Sequence, residues 1–154
     1  MKDSIDYILI ILLGGNEMQT KIATITDVDT EYKHNQIWMQ LCCDTPFPIQ
    51  HVFIVNNLSD ITRIHEIRKF IGVDNVKDFE GRQVRIIVES RGKIWYEVLA
   101  IGATHKNKFI DLYGDEFPVS ERNIFIRYKL AKERKAFINA LKAKWDVLRK
   151  HLGL

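Results

Sequence analysis

A chain of 154 residues, 46% hydrophobic and 28% charged, has the composition of a soluble globular protein and the length for one packed core. Three prolines and eight glycines leave no room for a long flexible linker, and no internal repeat or low-complexity tract is present. The net charge of +3 hides an asymmetry: residues 120–154 carry ten Lys/Arg against three Asp/Glu, and the rest of the chain 13 against 17.

The chain opens with an apolar run, residues 7–13, too short to span a bilayer as a helix. Its flank lacks the positive charge of a secretory signal, and no small-residue cleavage site follows. The stretch Leu13-Gly14-Gly15-Asn16-Glu17-Met18 can be encoded by a purine-rich ribosome-binding site ahead of a start codon. We therefore expect residues 1–17 to be translated leader and Met18 the native start, with a core domain over 18–119 and a basic amphipathic helix of the same domain over 120–154.

Period-two alternation predicts a first strand over 21–28, with Ile22, Thr24, Thr26 and Val28 on one face and Ala23, Ile25 and Asp27 on the other. A second, 36–43, sets Ile37, Met39, Leu41 and Cys43 against Trp38, Gln40 and Cys42. Pro46 and Pro48 break it, since proline cannot donate to a ladder. A third runs over 49–55. Cys42 and Cys43 are the only cysteines, adjacent and on opposite strand faces, which argues against a disulfide or shared metal and for a reducing compartment.

Ser59 or Asp60 can cap a helix in which Ile61, Ile64, Ile67 and Ile71 share a face, with Arg63, Glu66, Arg68 and Lys69 on the other sides. Gly72 stops it, and Val73 can fold back on the last turn. Asp74 offers a second cap for about one turn ending at Gly81. Strands over 84–89 and 94–101 then flank a turn at Ser90-Arg91-Gly92-Lys93. Residues 109–113 can add a short edge strand. The architecture expected is α+β: a small antiparallel five-stranded sheet or barrel, one inserted helix and a long C-terminal helix.

Ser120 caps that last helix, helical in pattern to about His151. Ile124, Tyr128 and Ala131 are placed to anchor it to the domain, Lys135 interrupts the apolar stripe, and residues 138–152 carry a separate stripe at heptad-like spacing. Two heptads are too few to hold a coiled coil alone.

The run Ile71-Gly72-Val73, then Asp78-Phe79-Glu80-Gly81-Arg82-Gln83-Val84-Arg85-Ile86, then Ile101-Gly102, after a strand opening Ile22-Ala23-Thr24-Ile25, resembles a group of small uncharacterised phage-encoded proteins. The resemblance covers roughly residues 20–117. The chain departs from the group at Ile49-Gln50-His51-Val52, where its members are glycine-rich, and in its long C-terminal helix. The resemblance implies a phage or mobile-element setting.

Chemistry-bearing motifs are absent from the sequence. The five histidines are scattered without metal-ligand spacing, the glycines form no phosphate loop, and no nucleophile has an activating context. Asp111, Asp115 and Glu116 cluster around a turn, where carboxylates are usually solvated. We expect no enzyme, no cofactor, no metal and no membrane, in a cytoplasmic protein. The basic helix carries the functional expectation, through Lys132, Arg134, Lys135, Lys142, Trp145, Arg149 and Lys150. The turn residues Arg91 and Lys93, near Arg82, Arg85 and Trp95 in strand order, extend it. The first reading is an accessory protein that binds and modulates a host protein, or self-associates, through that helix. The alternative is a nucleic-acid-binding module using the helix and a small barrel surface.

Overall fold

The computed structural model describes residues 17–31, 34–91, 95–114 and 117–154. The expected leader lies outside them except for Glu17, whose carbonyl accepts from Ser90 N at 3.0 Å. Six strands are present: β1 (Met18–Glu31), β2 (Gln36–Cys42), β3 (Ile49–Ile54), β4 (Gln83–Arg91), β5 (Trp95–Gly102) and β6 (Phe109–Asp111). They form one antiparallel sheet in the order β3-β2-β1-β4-β5-β6. The short edge strand thus brings the expected five to six.

The curl of this sheet begins in β1. Its first half pairs with β4, Met18 opposite Glu89 through Thr24 opposite Gln83. Its second half pairs with β2, Thr24 opposite Cys42 through Glu31 opposite Gln36. One strand therefore serves as the hinge of two ladders, and the sheet bends into a half-barrel. Where the pairing of β1 with β4 ends, the residues just before β4 take over: Ile25 N donates to Arg82 O, Gly81 N to Ile25 O, and Val28 N to Glu80 Oε1 at 3.1 Å. Gly81 holds φ +84°, the left-handed conformation that lets this corner turn without a Cβ penalty.

A β-bulge in β1 corrects the expected strand faces. The register passes from Ile25 opposite Leu41 to Asp27 opposite Gln40, leaving Thr26 as the extra residue. Ala23, Ile25 and Val28 consequently all point into the core, while Ile22 is 61% exposed. β2 keeps its expected faces: Met39 and Leu41 are buried, and Ile37 and Cys43 pack partly against them. A second bulge, at Leu99, lets both Val98 and Ile101 face inward.

Helix α1 (Leu58–Ile71) lies across the opening, touching β3, β5 and β6. Ile64 and Ile67 enter the core with Phe53, Phe79, Ile86 and Val98, and Ile71 packs at its margin, as the isoleucine spacing predicts. Ile61, on the expected apolar face, is exposed instead. The cap is Asn57 rather than Ser59 or Asp60; its side chain accepts from Asp60 N at 3.2 Å. Asp60 is drawn elsewhere, its Oδ2 accepting from Ile54 N and its Oδ1 from Arg63. Gly72, at φ +77°, ends the helix, and its N–H returns to Arg68 O. A single 3-10 turn, Val76–Phe79, follows, capped by Asn75 rather than Asp74. It buries Phe79 in the core.

Both faces of β4 in its middle and of β5 in its second half are buried. Val84, Ile86 and Val88 belong to the inner core, while Ile87, Leu99, Phe109, Val119 and Ile124 are buried outside that cluster. This is why these strands read as nearly continuous apolar runs. Helix α2 (Glu121–Leu152) begins here, with Ser120 Oγ accepting from Asn123 N. By contact the chain divides inside its first turn, into a unit ending at Ile124 and a second unit, Phe125–Leu154.

Candidate functional site

Two surfaces stand out, one in each unit. In the first, the edge strand β3 comes up to β5 without pairing to it, and a cleft of about 670 Å³ opens between them. Trp38, Phe47, His51, Trp95, Tyr96 and Tyr113 line it. These six come from four separate stretches of chain, and no local pattern announces the grouping. Only Trp95 among them entered the sequence-based site. The His51 ring stands edge-on to Phe53 at 4.6 Å and to Tyr113 at 6.2 Å.

The cleft offers aromatic surface rather than charge. Burial pushes His51 down to about 4, against a weaker upward pull from the Asp60 carboxylate, so the imidazole is neutral at neutral pH. Burial, with a hydrogen bond to Glu97, raises Tyr113 above the usual phenol range. Glu97 in turn accepts from Arg91 Nη2 at 2.5 Å, and Glu89 lies 3.9 Å from the same guanidinium. Arg91, an expected binding residue, is exposed and paired with carboxylates of its own sheet. Lys93 lies outside the described residues.

Arg85 is likewise engaged. Its Nε donates to Ala103 O, its Nη2 to Lys106 O, and its guanidinium stacks 5.0 Å from the Phe109 ring centroid. Of the residues expected to extend the basic surface, Arg85 is thus held in internal contacts, while Arg82, Arg91 and Trp95 are exposed. Asp111 also departs from expectation. It is fully buried rather than solvated, and its Oδ1 accepts from Tyr113 N at 2.9 Å. Asp115 and Glu116 lie outside the described residues.

The second surface is helical. Lys132, Arg134, Lys135, Lys142, Trp145, Arg149 and Lys150 all fall on α2. Lys132 is half-buried and the other six are exposed. Of the expected anchors, Ile124 is buried, Tyr128 half-buried and Ala131 exposed. The apolar stripe beyond Lys135 is open: Ile138 is 43% exposed, Leu141 51%, Trp145 58%, Leu148 52% and Leu152 69%. The helix holds together there through its own ladder and favourable propensities, Ala, Leu and Lys predominating.

Among the described residues no group of His, Cys, Asp and Glu is placed to hold a metal ion, and no helix is long and apolar enough to cross a membrane. Both cysteines are free thiols. Comparison with protein-family models, curated proteins and solved structures finds no match to this chain.

Proposed function

We propose that this protein is a non-enzymatic binding module that docks a partner protein on the second half of α2. One observation supports this above the rest: five large apolar side chains, Ile138, Leu141, Trp145, Leu148 and Leu152, lie uncovered on a single helical face. Contiguous apolar surface of that kind marks interaction sites, and an amphipathic helix presenting i, i+3, i+4, i+7 anchors is a recurrent recognition element. Trp145 is the natural anchor, because tryptophan gives the largest buried area per residue and is enriched among interface hot spots. The resemblance to small phage-encoded proteins supports a setting in a host cytoplasm, where the docked partner is a host protein whose activity the module modulates.

The nucleic-acid alternative keeps the basic residues of α2 and the exposed Arg82 and Arg91, while Arg85 is held by carbonyls of its own domain. An apolar stripe has no counterpart on a phosphate backbone. The deciding experiment compares the full chain with its Trp145→Ala variant in capture from host lysate and in gel shifts with single-stranded DNA. Protein capture that depends on Trp145, with no salt-sensitive shift, is the expected result. A shift untouched by Trp145→Ala but abolished by Lys142→Glu would assign the helix to nucleic acid instead.

A further inference from the structure

Written as a heptad, the second half of α2 has Ile138, Trp145 and Leu152 at one seam position, a, and Leu141 and Leu148 at the other, d. The flanking positions decide what can lie on this seam. Those at e are Lys142 and Arg149, continuing a row begun by Lys135, and those at g are Lys144 and His151. Every seam-flanking position from Ile138 to Leu152 is therefore Lys, Arg or His. The two acids of residues 125–154, Glu133 and Asp146, fall at c and b, away from the seam. All four flanking side chains are exposed.

Resting on the docking role proposed above, we infer that the occupant of this face is an acidic amphipathic helix of another protein, apolar along its own seam and carrying Asp or Glu beside it. A second copy of this chain is the wrong partner. In a parallel pair the g and e′ positions meet, setting Lys144 against Arg149 of the other copy. In an antiparallel pair e meets e′ and g meets g′, again cation against cation. Like charges at these positions oppose pairing, and carboxylates there complete it. A lipid surface is also a poorer fit. An interfacial helix needs a broad apolar face, whereas Lys142, Lys144 and Arg149 border the seam here, with Phe137 and Val147 the exposed large apolar side chains beside it.

The test uses the full chain and two synthetic amphipathic helices, each with Ile at a and Leu at d, one with Glu and the other with Lys at every e and g. The Glu helix is expected to bind about tenfold or more tightly than the Lys helix, the sum of several modest charge pairs. The preference should shrink as salt rises. The triple variant Lys142→Glu/Lys144→Glu/Arg149→Glu should invert it, which a nonspecific apolar contact would not do. Equal binding of both helices would overturn the acidic partner while leaving the docking role standing; binding of neither would overturn both. Dimerisation of the chain alone by sedimentation, at the assay concentration, would make self the occupant. Tighter binding to a single-stranded oligonucleotide or to phosphatidylglycerol vesicles than to the Glu helix would likewise overturn the inference.

Discussion

Arg63 Nη1 stands 2.6 Å from Asp60 Oδ1, both side chains nearly buried, one turn apart on α1. The pair ties the two open edges of the half-barrel to the helix between them. Asp60 Oδ2 accepts from Ile54 N at the end of β3, while Arg63 Nε donates to Asp111 O in β6 and Nη2 to Gly114 O just beyond it. The Phe117 ring lies 5.4 Å from the guanidinium. Where a closed barrel would join its edge strands by a ladder, this fold uses one carboxylate and one guanidinium.

Arg63→Met should therefore destabilise the protein by about 3–5 kcal/mol, the cost of leaving a buried charge without its partner. Arg63→Lys should recover little of it, because a single ammonium cannot reach three acceptors lying in different directions. Chemical denaturation of the three proteins measures this. A loss for Arg63→Met no greater than that of an exposed arginine would show that the pair does not hold the edges.

Ile67 is fully buried among strands from both halves of the sheet. Ile67→Ala should cost about 2–5 kcal/mol, the range for truncating a buried aliphatic side chain. A cost near zero in the same denaturation assay would contradict the packing of α1 described here.

Gly102 closes β5 where the chain has no room for a side chain. A Cβ there would lie 2.6 Å from Phe109 Cδ1 and 2.7 Å from Lys108 O. The Phe109 ring could shift, but the carbonyl belongs to the backbone leading into β6. Gly102→Ala should lower stability by about 1–3 kcal/mol through overpacking, and the melting temperature with it. An unchanged melting temperature would show that this edge yields without strain.

His51 makes stability depend on pH in a defined window. Its ordinary value of 6.5 falls to about 4 on folding, so between these values the unfolded chain binds the extra proton. The stabilisation is complete above the unfolded value and is lost as pH falls toward the folded one. Removing the group should flatten this part of the profile, so the gap between His51→Phe and wild type should change by about 2–3 kcal/mol between pH 6.5 and 4. Parallel curves for the two proteins would show that His51 does not titrate with folding.

Trp145→Ala should leave stability within about 0.5 kcal/mol of wild type, as expected for an exposed position away from the core. Circular dichroism and thermal melting check this. Unfolding of the whole protein by this substitution would show that Trp145 is core and would remove the docking face.

The sequence by itself determined what depends on near neighbours. Glycine at 72 stops a helix because no other residue adopts its φ so readily. The alternation of Ile37, Met39 and Leu41 assigns a strand face, and the apolar stripe from Ile138 to Leu152 is a property of one helix; that it lies open is seen only in the structure. Only the tertiary structure decided which distant groups meet. Thr26 becomes a bulge because β1 must serve β4 and β2 at once, so Val28 turns inward with Ile25. Asp60 leaves its expected capping role because Ile54 N and Arg63 compete for its carboxylate, and Arg63 is buried because β6 and the turn after it bring it two carbonyls some fifty residues away. Trp38, His51, Trp95 and Tyr113 form a cleft because the sheet curls without closing. Hydrogen-bond donors and acceptors that chain closure brings together leave no periodic trace in sequence, whereas apolar spacing and backbone conformational preference do.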